Sequence, residues 1–340
     1  MQKFSSRFFI ACLMYTTTSL AVAQAPAPAD PLPSWNSNPT KSAIMAFVQR
    51  VTEPGTADFV PVPDRIATFD NDGTLWAEQP VYFQAQFAID NVKDMAPDHP
   101  DWQTTEPYKS ALAGDLKGVM ATGKEGLVKL LLASHVGMTE TQFNASVMDW
   151  LASAKHPTRD VPYPQMAYQP MLELLNYLRA NDFDVYIVSG GGIDFMRVFA
   201  ESVYGVPPEN VVGSTAHATY EMRDGIPTIV KTGDLIQMND NVEKPVAIYR
   251  HIGRRPIFAA GNSDGDMQML EYTTIARNSE DTTPRLGILV HHDDAKREWA
   301  YDRVSAIGKL DQALDAAPQY GWHVISMEQD WRQIFPAEKN

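Results

Sequence analysis

With 340 residues, 44% of them hydrophobic, the chain has material for one large domain or two ordinary ones. Its formal net charge of −14 argues against nucleic acid as the routine partner, because phosphate backbones are held by lysine and arginine; a local cationic site still admits small phosphorylated metabolites. The single cysteine, Cys12, excludes a disulfide framework.

The chain opens with Lys3 and Arg7, a mostly apolar run from Phe8 to Ala21 and the small-x-small step Ala21-Val22-Ala23. This is the pattern of a secretory signal over residues 1–23, and it predicts a periplasmic or secreted protein. Thr16, Thr17, Thr18 and Ser19 make the run too polar and too short for a membrane span, so no stable membrane insertion is expected after cleavage. Cleavage removes Lys3, Arg7 and Cys12 and no acid, taking the net charge from −14 to −16. Residues 24–40, rich in alanine and proline, read as a tether.

Residues 66–76, Ile-Ala-Thr-Phe-Asp-Asn-Asp-Gly-Thr-Leu-Trp, form an apolar strand that runs into two aspartates and a glycine turn. Strand alternation starts Asp70 and Asp72 on one face and Asn71 on the other. Two carboxylates this close require a shared proton or a nearby cation, and a hard divalent ion suits oxygen ligands. Gly73 permits a positive φ, which lets the amides around Thr74 curl about an anion. The competing reading is a strand that simply ends in an Asx-type turn.

From 77 to 160 the pattern is helical. Val81, Ala85, Ala88, Val92 and Met95 mark one helix face, and Thr139-x-x-Gln142 is a capping box ahead of Phe143, Val147, Trp150, Leu151 and Ala154. From 167 onward helices and strands alternate. Met171, Leu174, Leu175 and Leu178 line a helix; 183–188, 257–260 and 286–290 are buried-strand candidates, and 216–231 reads as a hairpin about Arg223-Asp224-Gly225. The expected fold is α/β: a Rossmann-like parallel sheet with helices on both faces (41–76 and 161–340) and a helical cap inserted at 77–160. In such sheets the ligand crevice lies at the carboxyl ends of the strands, which brings Asp70, Ser189 and Asn262 together.

Ser189-Gly-Gly-Gly192 sits between a strand and a helix beginning near Ile193, where helix N–H groups favour an anion, although a glycine loop that merely turns the chain reads the same way. Lys244 opens a helix in Asn-Val-Glu-Lys-Pro, and a lone helix lysine is ordinarily a solvated charge. Gly261-Asn-Ser-Asp-Gly-Asp266 precedes an apolar helix. His291-His-Asp-Asp294 reads as a polar loop rather than a second metal site, and Trp299, Tyr301, Tyr320, Trp322 and Trp331 as packing residues.

Taken in this order, the four segments resemble the motifs of the haloacid dehalogenase-like hydrolase superfamily, and the arrangement is most similar to its phosphoserine phosphatase-like branch. The resemblance implies that Asp70 is a nucleophile, Asp72 a general acid and base, and Lys244 a catalytic charge. It implies phosphate binding by Gly73, Thr74, Ser189 and Gly190, and Mg²⁺ held by Asp70, Asp72, Asn262 and Asp266. Asn262 departs from the aspartate usual at its position, and Asp264 is the alternative source of that carboxylate. The branch commonly carries a glutamate nine residues after the nucleophile; here Gln79 is at nine and Glu78 at eight, so phosphoserine is not specified. Trp76, Glu78 and Tyr82 are candidates for the substrate entrance. The activity implied is that of an exported Mg²⁺-dependent phosphatase acting on small phosphate monoesters through an aspartyl-phosphate. The alternatives are a phosphotransferase using the same intermediate and a weakened phosphate-ligand-binding protein on the same scaffold.

Overall fold

A computed structural model describes residues 29–336; the signal sequence expected over 1–23 lies outside the described residues. Among the described residues no helix is long and apolar enough to cross a membrane.

Eight strands carry the fold: β1 (Ile66–Phe69), β2 (Asp184–Gly192), β3 (Val211–Arg223), β4 (Ile226–Gln237), β5 (Phe258–Gly261), β6 (Leu286–Asp293), β7 (Ala300–Tyr301) and β8 (His323–Ser326). They form one sheet in the order β4-β3-β2-β1-β5-β6-β7, with β8 also paired to β6. The pairs β1–β2, β1–β5, β2–β3, β5–β6 and β6–β8 are parallel, while β3–β4 and β6–β7 are antiparallel. The chain builds outward from β1 through β2 and β3, then returns to β5 on the other side. That reversal between β1 and β5 is the topological switch point at which such sheets open a crevice.

The helices are α1 (Pro39–Thr52), α2 (Phe83–Met95), α3 (Tyr108–Leu112), α4 (Leu116–Ala121), α5 (Gly123–Ala133), α6 (Glu140–Ser153), α7 (Gln169–Ala180), α8 (Ile193–Tyr204), α9 (Glu243–Ala247), α10 (Met267–Thr274), α11 (Gln312–Tyr320) and α12 (Met327–Asp330). Alternation along the strands divides the core in two. Ile187, Val211, Phe258 and Ile288 pack with Val48 of α1, Leu174 of α7 and Phe199 of α8. Their neighbours Val188, Val212, Ala259 and Leu289 pack with Ala247 of α9, Leu270 of α10 and Ala313 of α11. The sheet is thus covered on both faces, as its near-continuous apolar strands require. Each fully buried Leu, Ile or Phe contributes about 1.5–3 kcal/mol relative to exposure.

The helical segment α2–α6 leaves and rejoins the core at one place. Ala77 N–H donates to Met166 O (3.1 Å), Tyr168 N–H donates to Leu75 O (2.8 Å), and Trp76 bridges Ala167. The expected Thr139–Gln142 capping box is present at the start of α6, and Phe143, Val147, Trp150 and Leu151 are buried along it. The β3–β4 hairpin turns at Asp224 and Gly225, both at positive φ, and runs on past the predicted span. It also grips the helical segment, with Gly137 N–H donating to Lys231 O and Lys231 N–H to Met138 O, both at 2.9 Å.

The tether reading does not hold for residues 31–38. Leu32 and Trp35 are buried, the Trp35 indole N–H donates to Pro170 O (3.0 Å), and its ring meets Trp331 edge-on at 5.9 Å. Prolines exclude helix here but do not exclude two large apolar side chains from the core, and α1 already begins at Pro39.

Candidate active site

Asp70 follows β1 directly, and its N–H donates to Ala260 O of β5 (2.9 Å), which fixes it at the switch point. Gly73 then takes φ +72°, and a Cβ there would lie 2.0 Å from Asn262 Nδ2, so only glycine lets this loop close against the β5 loop. Asn71 O accepts from the N–H groups of Thr74, Leu75 and Trp76, and Gly73 N–H donates to Trp76 O. These bonds correct the anion-cradle expectation for Gly73 and Thr74. Their N–H groups are consumed inside the turn, and the Thr74 hydroxyl donates to Asn262 Oδ1 (3.1 Å).

Lys244, from the first turn of α9, is buried with its ammonium between two carboxylates: 2.7 Å from Asp70 Oδ1 and 2.5 Å from Asp266 Oδ1. The other oxygen of Asp266 accepts from Asn262 N–H (3.0 Å), Ser263 N–H (3.1 Å) and the Ser263 hydroxyl (3.2 Å), so this carboxylate is locked. Asp70 Oδ2 faces no hydrogen-bond donor among the described residues and borders a cavity of about 390 Å³. Asp72 is held through Oδ1 by the Trp76 indole N–H (2.8 Å). A Cβ on Gly191 would stand 3.5 Å from Ser189 Oγ and 3.6 Å from Asp72 Oδ2, so that glycine keeps clear the space between hydroxyl and carboxylate. Ser189 Oγ accepts from Gly191 N–H (3.1 Å), which leaves its own hydrogen to donate into the cavity.

Charge in this floor is unbalanced. Asp70, Asp72, Asp266 and Glu78 gather about one ammonium. Burial, aided by repulsion from Asp266, pushes the Asp70 carboxyl up to about 7 in spite of Lys244. Withdrawal from water likewise raises Asp72 to about 6, with the Trp76 hydrogen bond opposing the rise. Burial drives Glu78 well above the usual range, and Asp72 and Asp70 add to it. For Lys244 burial alone acts downward, but Asp266 and Asp70 outweigh it and raise the group, which stays charged.

Among the described residues no three acidic or imidazole side chains converge as a preformed metal cage. Asp70, Asp72, Asn262 and Asp266 are therefore not a ready shell: Asp266 is locked by Lys244 and its own loop, and the Asn262 oxygen is taken by Thr74. Asp264 does not supply the missing carboxylate, since its Oδ1 caps α11 through Asp311 N–H (2.9 Å) and Ala313 N–H (3.0 Å). The surplus of carboxylates beside an open oxygen of Asp70 does suit magnesium, which is ordinarily bound by one or two carboxylates, waters and a substrate phosphate rather than by an all-protein cage.

Of the three entrance candidates, Glu78 and Tyr82 line the cavity and Trp76 does not. Trp76 is fully buried, stacked on Phe199 at 4.4 Å, and acts on Asp72 from behind. Glu78 Oε1 accepts from Asn262 Nδ2 (2.8 Å) and from the Tyr301 hydroxyl (2.7 Å). The polar-loop reading does not hold for His292, which is buried on β6 with Nε2 2.8 Å from Gly73 O and Nδ1 3.2 Å from Glu298 Oε2. A carbonyl only accepts, so Nε2 carries a hydrogen and the ring braces the Gly73 turn. Tyr301, read as a packing residue, holds Glu78; nothing local in the sequence marks either role.

A parallel α/β core with an aspartate pair at its switch point and a buried lysine behind them is the architecture of a hydrolase. The family model described as haloacid dehalogenase-like hydrolase matches residues 67–271, and the chain belongs to that family. Among solved structures it is similar to a functionally unknown protein from Anaerococcus prevotii DSM 20548 (TM-score 0.51, 14% identity, 88% of this chain and 95% of that one). It is also similar to a protein of unknown function from Bordetella pertussis Tohama I (TM-score 0.47, 16% identity, 77% and 97%). A third is a phosphoserine phosphohydrolase-like protein from Francisella tularensis subsp. tularensis SCHU S4 (TM-score 0.37, 16% identity, 67% and 88%). At 14% identity the first of these likenesses is one of fold alone. No curated protein matches the chain.

Proposed function

We propose that the protein is a Mg²⁺-dependent phosphatase that hydrolyses small phosphate monoesters through an aspartyl-phosphate on Asp70. The observation that carries this reading is the placement of Lys244 between Asp70 Oδ1 and Asp266 Oδ1, which leaves Asp70 Oδ2 free at the cavity. Asp70 Oδ2 attacks phosphorus in line with the ester oxygen while Ser189 donates a hydrogen bond to the transferring phosphoryl group. The protonated Asp72 gives its proton to the departing alkoxide, releasing the alcohol. Asp72, now ionised, takes a proton from the water that attacks the acyl-phosphate, and inorganic phosphate leaves with Asp70 restored. Lys244 offsets negative charge on Asp70 throughout. Asp70 would hold the magnesium ion together with the substrate phosphate, and the ion would supply further charge neutralisation on the phosphoryl oxygens.

The test is a panel of phosphate monoesters assayed with and without EDTA. Metal-dependent phosphate release is expected; none from any ester removes the reading, and phosphate found on added glycerol instead of in solution would make the protein a phosphotransferase. Export to the periplasm or medium is supported by Lys3, Arg7 and the apolar run to Ala21. The protein recovered from a bacterial periplasmic fraction is then expected to begin at Gln24, and retention of Met1 in the cytoplasmic fraction rejects export.

A further inference from the structure

The cavity has two unlike halves. Its floor is the polar cluster of Asp70, Asp72, Ser189 and Lys244, whereas its wall is built by Ala85 of α2, Met120 of α4, Leu127, Val128 and Leu131 of α5, and Met238 beyond β4. Leu127 and Leu131 lie four residues apart on α5 and, with Val128, are only half-buried; the two leucines rest on the edge of the helical segment's core, in which Leu130 is buried. An apolar helix face left partly open beside a reaction centre is covered at no cost by an apolar ligand.

The polar groups around the cavity are engaged in part. Lys124 pairs with Asp240 Oδ2 (3.1 Å), Gln84 Oε1 accepts from Gly192 N–H (2.7 Å), Glu78 is held by Asn262 and Tyr301, and the Tyr82 oxygen accepts from Gly308 N–H (3.4 Å). Beyond the phosphate site, among the described residues, the one ammonium or guanidinium group lining the cavity is that of Lys124, an exposed lysine that already lies against Asp240. A second anionic group on the substrate would meet the Asp240 carboxylate beside that lysine, with no further cation among the lining residues outside the phosphate site to offset it.

From this we infer that the organic half of the substrate is apolar: the protein takes phosphate monoesters of aromatic or branched alkyl alcohols that carry no second anion, and it disfavours phosphorylated amino acids and polyols. The inference rests on the phosphatase reading and specifies its substrate class. A cavity of about 390 Å³ lies at the small end for ligand pockets, which limits the alcohol to about one ring or its equivalent.

Three measurements test it. The kcat/KM for 2-phenylethyl phosphate is expected to exceed those for glycerol 3-phosphate and phosphoserine at least tenfold; all three release alkyl alcohols, so the leaving group does not decide the order. Leu131→Asn should raise the KM for 2-phenylethyl phosphate several-fold and narrow that ratio. Calorimetry with the non-hydrolysable 2-phenylethylphosphonate and 2-aminoethylphosphonate, Mg²⁺ present, should find the former at least tenfold tighter, and this is read whether or not any ester turns over. Equal or reversed affinities, or a preference for phosphoserine, overturn the inference. Tighter binding of the phenyl compound without hydrolysis of any ester would instead retain it and discard the phosphatase reading.

Discussion

The floor and the wall of the cavity are held in opposite ways. On the floor Asp70, Lys244 and Asp266 hang from a strand end or an adjoining short helix; Lys244, itself held by Asp266 (2.5 Å), fixes Asp70 (2.7 Å), and Trp76 fixes Asp72 (2.8 Å). On the wall Met120, Leu127, Val128 and Leu131 meet the cavity through side chains that no hydrogen bond orients. Chemistry that must be positioned is thus placed on the rigid sheet, and recognition that needs only apolar contact is left to helices inserted between residues 77 and 166. Substitutions on the floor should therefore act on rate, and those on the wall on affinity.

The largest effect is expected for Asp70→Asn, which removes the nucleophile while leaving the Lys244–Asp266 pair intact. Phosphate release should fall by about a thousandfold or more. The melting temperature should hold or rise, since a carboxylate buried against its own preference is lost. Residual activity within tenfold of the parent would show that Asp70 is not the nucleophile. Next comes Lys244→Met, which strands Asp70 and Asp266 in a buried site without their cation. Removal of one partner from such a cluster costs about 3–5 kcal/mol, read as a lowered denaturant midpoint together with lost turnover. A variant as stable as the parent would mean that the carboxylates are already protonated.

The surplus charge of the floor also makes stability depend on pH. Asp70 and Asp72 are raised from 3.8 to about 7 and about 6, so the native state keeps protons that the unfolded chain has released. Their contribution is fully present below about pH 4 and is lost as pH rises through about 6 and 7. In metal-free protein the loss is on the order of a few kcal/mol. Chemical denaturation of the parent and of an Asp70→Asn/Asp72→Asn variant from pH 5 to 8 isolates their part of the slope, which should be shallower in the variant, where Glu78 alone of the three raised carboxyls remains. Mg²⁺ should restore the parent's stability at pH 7.5 more than at pH 5. Equal slopes in the two proteins would remove the coupling.

The same division explains what could be read from the sequence. Asp70, Asp72, Ser189 and Asn262 were legible because a charged or polar residue directly after an apolar strand has no role in packing, and the strands' apolar runs give the sheet. Lys244 became legible only through its order among the motifs. The wall was not legible, since Leu127 and Leu131 show the same helical spacing whether they face a core or a cavity. Trp76 was misassigned for a related reason: an aromatic beside a motif reads as an entrance, and its indole N–H reaches Asp72 only because the turn at Gly73 doubles the chain back. His292 and Tyr301 depend on β6 and β7 pairing more than 200 residues away from the turn and the glutamate they support. Leu32 and Trp35 were hidden by flanking prolines.

Trp76→Phe gives the smallest effect and divides floor from wall most finely. The ring that stacks on Phe199 and leans on Phe83 is kept in kind, so the core should lose little more than the volume difference between the two side chains. What disappears is the N–H held 2.8 Å from Asp72 Oδ1. That hydrogen bond favours the ionised carboxylate, so its loss moves the Asp72 carboxyl further above about 6. The limb of the pH–rate profile on which the general acid is lost should therefore shift to higher pH, and kcat should drop by about tenfold as the carboxylate loses its orientation. The KM for an apolar ester should not change, because Trp76 touches no part of the wall. A change in KM with an unmoved pH profile would return Trp76 to the substrate entrance and dissolve the separation of floor from wall.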